Sequence, residues 1–374
     1  MCIRDRCAPG LEPLLAIEVE AIAPGAVAVP GGVEARGDRR TLARLLVELG
    51  LASHVLVRVA SFRVRDLDAL EGHVSRLPWS GWVSRGVPRR VRATSSKSRL
   101  THTGAIEERI ARAITTRLGD AVEGTPEEAA SAPYIPIVAR VVGDRCMISL
   151  DASGEPLHRR GYRLDPHRAP LREDLARALV LASRWDRTSL LVDPMCGSGT
   201  IAIEAALLAG DRAPGLERSF AMERTPLDDG IALAEVRAEA RARVHPAPGP
   251  IVGRDRDARA IQAARTNAAR AGVDIVLEVG ALSTTITSIP AEHGPAPRVV
   301  TNPPWGERLG DASALKALYR ALGQLRRALG PDARLTLAAH DRKLAYATAI
   351  PMESAFLSDL GGLKVTAMTE RERA

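Results

Sequence analysis

Aromatic residues are scarce in this chain: Phe, Trp and Tyr together make up 3% of 374 residues. A sheet that stacks unpaired RNA bases needs several aromatics on one face, so a module of that kind is not expected. Cysteine is equally sparse. Cys2, Cys7, Cys146 and Cys196 include no Cys-x-x-Cys pair and suit no zinc ribbon, so a reduced cytosolic chain without a metal site is expected. No run approaches the roughly 18 uninterrupted apolar residues that span a bilayer, so no membrane partner is expected. No repeat of fixed period stands out. The opening Met1-Cys2-Ile3-Arg4-Asp5-Arg6 has no apolar core and no cleavage pattern, so no secretory signal is read there. It resembles adapter read-through in assembled sequence and is left out of the fold reading.

What is present is ordinary globular composition, 45% hydrophobic and 26% charged, with length for two or three domains. Disorder as the main state is excluded. Lys plus Arg exceed Asp plus Glu by 52 to 45, a net charge of +7, which points modestly toward an anionic partner. Genomic base composition is a second source of arginine in a chain dominated by Ala, Arg and Gly.

Two textures divide the chain. From about 8 to 155, short apolar runs alternate with basic turns. Helical spacing covers 11–20, 41–49 and 104–118, and strands are predicted at 27–29, 32–35, 54–59, 90–94, 135–142 and 145–151. This order suggests a small α+β domain, or two. A polar, basic stretch with Pro156, Pro166 and Pro170 connects it to the rest. From 175 onward, helices over 200–209 and 258–271 alternate with apolar strands at 190–193, 250–253, 275–279, 298–301 and 334–339. That alternation predicts a parallel sheet with helices on both faces. The runs 356–360 and 363–369 read as a closing antiparallel pair around Gly361-Gly362. Residues 211–248, with a charged helix over 232–243, form an insertion of uncertain purpose.

Three segments carry chemistry. Asp193-Pro194-Met195-Cys196-Gly197-Ser198-Gly199-Thr200 lies between a strand and a helix, where small residues let backbone N–H groups approach a ligand at the helix start. The strand-end carboxylate can fix a polar group of that ligand. The lysine of a P-loop is absent, which argues against nucleoside triphosphates. A tight turn without a ligand is the plain alternative, and Cys196 reads as a small buried residue rather than a nucleophile. Next, Asp255 ends the following strand, where a carboxylate can take both ribose hydroxyls of an adenosyl ligand. Asp257 is its rival, and either can cap the helix that starts at Ala258. Last, Thr301-Asn302-Pro303-Pro304-Trp305 follows an apolar strand. The Asn302 side-chain oxygen and a proline carbonyl make a stiff pair of acceptors, followed by an aromatic that can cover a flat ring. Two acceptors aimed at an exocyclic amine favour its pyramidal form and stabilise positive charge growing on nitrogen. A plain Pro-Pro turn is the alternative.

Together these segments resemble class I S-adenosylmethionine-dependent methyltransferases that modify amino groups. The landmarks Ala8-Pro9-Gly10-Leu11-Glu12, Ser96-Lys97-Ser98-Arg99-Leu100-Thr101-His102-Thr103, Leu157-His158-Arg159-Arg160-Gly161-Tyr162-Arg163 and Ala169-Pro170-Leu171-Arg172-Glu173 extend the resemblance to the THUMP-domain RNA guanine-N2-methyltransferases, bacterial 23S rRNA enzymes among them. The resemblance covers nearly the whole chain from Cys7. It implies an α/β fold: a Rossmann-like class I methyltransferase domain (156–374) preceded by an α+β region, a ferredoxin-like piece (7–52) and a THUMP RNA-binding domain (53–155). It also implies S-adenosyl-L-methionine as cofactor, held by Asp193, Pro194, Cys196, Gly197, Ser198, Gly199, Thr200, Asp255 and Asn302. Asn302, Pro303, Pro304 and Trp305 would serve the target base. Two positions depart from the family pattern. Trp305 stands for the usual tyrosine, and Ala281 falls where an acidic residue commonly meets the adenine amine, leaving that contact to backbone groups.

The segment from 85 to 117 supports an RNA partner, with Arg89, Arg90, Arg92, Lys97 and Arg99 as phosphate contacts, joined by His102, Arg159 and Arg160. A solvated face is the bland alternative for each, and Thr101 or Thr103 is expected to cap the helix beside His102. The expected activity is cytoplasmic methylation of guanine N2 in structured RNA, 23S rRNA favoured and tRNA possible, without an obligate protein partner. Rivals are a tRNA guanine-N2 enzyme, a DNA adenine-N6 enzyme, and an RNA-binding or assembly factor whose catalysis has decayed. Many relatives carry a second methyltransferase domain after the first. Here the sequence ends at Ala374, either as a single-enzyme version or as part of something longer.

Overall fold

In the computed structural model the described residues are 1–119, 133–163, 171–287, 294–304, 312–360 and 363–372. They form two compact units.

The first unit gathers Met1–Cys7, Ala16–Leu157 and Glu217–Glu239. Its sheet holds β1 (Cys2–Cys7), β2 (Val27–Val29), β3 (Gly32–Arg36), β4 (Ala52–Arg63), β5 (Arg89–Ser96), β6 (Ile135–Val142) and β7 (Arg145–Asp151), in the order β2-β3-β1-β4-β7-β6-β5. Neighbours run antiparallel except β5 and β6. Period-two burial fixes the register: Ile135, Ile137, Ala139 and Val141 are buried while Arg140 is exposed. Helices Arg39–Glu48 and Leu67–Ser75 begin at side-chain caps, Asp38 accepting from Thr41 N at 2.8 Å and Asp66 from Ala69 N at 2.7 Å. The second of these helices was not anticipated. β4 is longer than the strand expected at 54–59, because one part pairs with β1 and the other with β7.

The opening residues need a correction. Set aside as non-structural, they form β1, between β3 and β4. Ile3 is fully buried and justifies the insertion. Asp5 is also fully buried, and neither carboxylate oxygen has a hydrogen-bond partner among the described residues. Burial alone pushes its carboxyl well above the usual range.

The insertion at 211–248 also finds a place. Its middle folds with the first unit: Met222 N donates to Ala152 O at 2.9 Å, Arg218 to Glu155 O at 2.9 Å, and Arg40 pairs with Glu239 at 2.6 Å.

The second unit comprises Ala8–Leu15, His158–Leu216 and Ala240–Ala374. Its strands are β8 (Leu191–Asp193), β9 (Ile251–Asp255), β10 (Val276–Val279), β11 (Arg298–Thr301), β12 (Arg334–Ala339), β13 (Met352–Leu360) and β14 (Leu363–Glu370), ordered β10-β9-β8-β11-β12-β14-β13. The first five in that order are parallel, and β14 runs antiparallel between β12 and β13. The expected hairpin therefore exists, with its second strand inserted beside β12, and Gly361-Gly362 lie outside the described residues. Val299, Leu335 and Leu337 are buried with Leu315, Leu322 and Leu325 of the helix Ala312–Ala328, and Leu277 of β10 is buried with Ile203 and Leu207 of the helix Thr200–Ala209 and Ile261 of the helix Ala258–Ala271. Chain order reverses between β8 and β11. In an open doubly wound sheet, the crevice at that switch point, beyond the carboxyl ends of the strands, is where a ligand binds.

Candidate active site

β8 delivers Asp193 to this crevice. Its carboxylate is buried and accepts from Thr301 Oγ1 at 2.7 Å and from Met195 N at 3.2 Å. Burial dominates these bonds and, with Asp255 nearby, pushes the carboxyl up to about 7. The chain then turns through Gly197 (φ +54°) and Gly199 (φ +85°) into the helix Thr200–Ala209. Gly199 is required twice over, by its left-handed backbone and because a Cβ there would lie 3.0 Å from Ala264 Cβ. The loop is tied to its surroundings: Gly197 N donates to Asp255 Oδ2 at 3.0 Å, Cys196 N to Arg254 O at 2.8 Å, and Asn267 Nδ2 to Ser198 O at 3.1 Å. The Cys196 thiol is buried, and burial beside Asp193 and Asp255 raises it well above its ordinary value, so it stays protonated.

β9 delivers Asp255 beside this loop. Asp257 is the N-cap of the helix Ala258–Ala271 and accepts from Arg259 N at 2.9 Å, so the two carboxylates have different neighbours. β11 ends at Thr301 and presents Asn302. The Asn302 side-chain oxygen is buried and has no hydrogen-bond partner among the described residues. Pro303 is buried and Pro304 exposed. Trp305 lies outside the described residues.

A cavity of about 470 Å³ joins these corners. Its wall includes Asp193, Cys196, Gly197, Ser198, Thr200, Asp255 and Asn302 from the expected set. Pro194 and Gly199 are buried behind the loop and shape it rather than line the cavity. Arg256, Arg259 and Leu171 line it without having been singled out from the sequence. Ala281, where an acid was looked for, is not part of the wall, and its carbonyl accepts from Thr284 and Thr285.

Of the basic residues expected to contact RNA, Arg89 and Arg160 turn inward and the others are exposed. Arg90 and Arg92 are exposed on the edge strand β5, Arg90 lying 4.2 Å over the Tyr134 ring and Arg92 reaching Glu107 at 3.8 Å. Lys97 and Arg99 are exposed in the turn after β5. His102, and not Thr101 or Thr103, is the N-cap residue of the next helix, and it makes no side-chain cap bond. Arg89 folds inward, donating to Thr115 Oγ1 at 3.0 Å and Gly119 O at 2.6 Å at the end of that helix. Arg159, in the second unit, is exposed. Arg160 corrects the sequence reading outright. Its side chain is buried against Glu204 at 3.4 Å, and Tyr162 donates to the same carboxylate oxygen at 3.2 Å, so it serves the interior and cannot meet a phosphate.

A parallel sheet in this strand order, with a glycine corner and an acceptor corner facing each other across the switch point, defines a Rossmann-like methyltransferase. The chain belongs to the RMKL-like methyltransferase family. Residues 160–354 match the RMKL-like methyltransferase domain, and residues 6–56 match the RlmL ferredoxin-like domain. The chain is 36% identical over 329 residues to the ribosomal RNA large subunit methyltransferase K/L of Syntrophotalea carbinolica, which covers 84% of this chain and 46% of that protein. It thus spans about half the length of this curated relative. Among solved structures, SMU.472, a putative methyltransferase complexed with SAH, has 27% identity and a TM-score of 0.87 over 100% of this chain and 98% of that one. A predicted N6-adenine-specific DNA methylase from Listeria monocytogenes has 28% identity and a TM-score of 0.85 over 98% of this chain and 95% of that one.

Proposed function

We propose that this chain transfers a methyl group from S-adenosylmethionine to guanine N2 in structured RNA, with 23S rRNA as the favoured substrate and tRNA as the alternative. The observation that carries the reading is that Asn302, whose buried side-chain oxygen has no partner among the described residues, lines the cavity that also holds the glycine corner and Asp255. A buried acceptor without a partner costs free energy unless a ligand donor meets it in the working state. The ribosomal RNA relative supports RNA over DNA, as does the family match at residues 6–56.

The residues fit the donor. The cavity volume suits a ligand of that size. Asp255 would take the ribose hydroxyls and Asp193 the ammonium group, while the N–H groups of Cys196, Gly197 and Gly199 hold the loop in shape around them. When bound, the donor supplies an electrophilic methyl on a sulfonium. Asn302 accepts from the N2 hydrogens, so that the nitrogen lone pair is directed at the methyl carbon. In such a transfer N2 would take the methyl from the donor, which would leave as the thioether with the C–S bonding pair, and N2 would release one proton to solvent. Positioning and acceptor electrostatics supply the rate, without an obligatory general base. The base must leave its stack to reach Asn302.

Arg90, Arg92, Lys97, Arg99, His102 and Arg159 are our candidates for RNA contact. The division at 52 and 155 into ferredoxin-like, THUMP and methyltransferase parts, and a cytoplasmic setting without an obligate protein partner, belong to the same proposal. Incubation with labelled donor and 23S rRNA transcript, tRNA or duplex DNA, followed by nucleoside mass spectrometry, tests it. N2-methylguanosine in an RNA is expected, and label in N6-methyladenine of DNA would overturn it.

A further inference from the structure

Asn302 divides the carboxyl edge of the second sheet. The donor cavity lies on its β8 and β9 side, and no residue of β12 or beyond lines that cavity. On the other side stands β12, parallel to β11, with Thr301 level with Leu337. Asn302 and the end of β12 at Ala339 therefore share one edge. Past it the chain turns through His340 and Asp341 into a short helix, Arg342–Tyr346. A base that meets Asn302 opposite the donor arrives on the side of this helix.

The helix rests on the core through Leu344, Ala345 and Ala347. Arg342, Lys343 and Tyr346 are exposed, and Arg342 and Tyr346, four residues apart, share a face. Neither cation has an ion pair among the described residues. The adjoining Asp341 is engaged as N-cap, accepting from Lys343 N at 2.8 Å. A third cation, Lys364, is exposed on β14, where its backbone oxygen accepts from His340 Nδ1 at 3.0 Å. Tyr346 is 56% exposed, and among the described residues it is the one Phe, Trp or Tyr side chain left exposed.

A lone exposed apolar side chain needs no explanation. An open ring sharing a helix face with unpaired cations, at the edge where the target base must enter, is a different object. Cations take phosphates of any sequence, and a ring stacks any base whose own face is uncovered. Duplex bases are covered by their neighbours, so the combination fits an unpaired strand. A base drawn out of its stack leaves just such an uncovered neighbour.

We propose that the helix Arg342–Tyr346 holds the RNA beside the target guanine, with an unpaired flanking nucleotide stacked on Tyr346 and its phosphates on Arg342 and Lys343. The inference rests on the RNA-methyltransferase reading above and adds that the segment on this face is single-stranded.

Filter binding of 23S rRNA transcript and of tRNA to the full chain, across salt concentrations, tests this beside titration with S-adenosylhomocysteine. Tyr346→Ala should weaken RNA binding by roughly five- to hundredfold, the range of one base stacked on one aromatic, with the salt slope unchanged. Tyr346→Phe keeps the ring and should bind within about twofold of wild type. Arg342→Ala should lower the log–log salt slope by about 0.7. All three should keep the thermal midpoint and the affinity for S-adenosylhomocysteine, since neither residue lines the donor cavity. Wild-type RNA affinity in Tyr346→Ala, or Tyr346→Phe as weak as Tyr346→Ala, would overturn the inference and leave RNA methylation standing. Changed sedimentation of Tyr346→Ala with unchanged RNA affinity would instead give the face to a second copy of this chain. A wild-type protein that binds neither RNA would overturn both.

Discussion

Thr301 Oγ1 donates to Asp193 Oδ1 at 2.7 Å, joining the end of β11 to the end of β8. This bond ties the residue before Asn302 to the residue that opens the glycine loop, so the acceptor corner and the donor corner move as one. Sequence separation hides the link, since neither residue type announces a partner more than a hundred positions away. A threonine ending an apolar strand was the only hint.

The same bond bears on pH. Asp193 sits at about 7 because burial outweighs its two donors. Below that value the free protein holds it neutral, and a ligand ammonium group requires it ionised. S-adenosylhomocysteine should therefore bind with release of about one proton at pH 6 and of few at pH 8, read from binding enthalpies in buffers of different ionisation heat. Affinity should rise with pH by up to about tenfold per unit below 7 and level off above it. Affinity that is flat from pH 6 to 8 would remove Asp193 from the ammonium contact.

Asp5 predicts a gain in stability. The carboxyl is fully buried and unpaired among the described residues, between Val33 and Val55 on the neighbouring strands. Its folded pKa is raised, so its contribution to stability is greatest below the unfolded value near 4 and is lost as pH climbs above it. Asp5→Val should stabilise the first unit by about 1–3 kcal/mol, with a larger gain at pH 8 than at pH 5. Thermal unfolding at the two pH values checks it, and an equal or lower midpoint in the variant would contradict it.

Arg92 and Arg160 test the proposed division between RNA contact and interior support. Arg92→Ala should leave the melting temperature unchanged and lower the salt dependence of RNA binding, with a log–log slope smaller by about 0.7–0.9. Arg160→Ala strands Glu204 as a buried charge and should cost about 3–5 kcal/mol of stability. Filter binding across salt concentrations and thermal melts distinguish the two. Equal effects of both variants on the salt slope would restore Arg160 to the RNA side.

Much of the second unit was legible because its signals are local. Apolar strands followed by Gly, Asp or Asn-Pro-Pro put Asp193, Asp255 and Asn302 at strand ends, and the parallel alternation then brings those ends together. Arg160 was misread because a guanidinium's charge is visible in sequence while its burial against Glu204 is not. β1 was set aside because its residues resemble adapter read-through, yet the alternation of Ile3 and Asp5 toward the core makes it a strand. Arg256 escaped notice because cavity walls are assembled from residues with no pattern of their own. The middle of 211–248 gave no clue to its partner, since its bonds to Ala152, Glu155 and Arg40 run to distant backbone and charge.

The central claim is that the Asn302 oxygen accepts from the reacting amine inside the donor's own cavity. Single-turnover methyl transfer to 23S rRNA transcript, measured beside S-adenosylhomocysteine affinity, tests it in the Asn302→Ala protein. The account predicts transfer slowed by at least about 10²–10³-fold, with the dissociation constant within about threefold of wild type. Near-normal transfer, or affinity lost in proportion to rate, would contradict it.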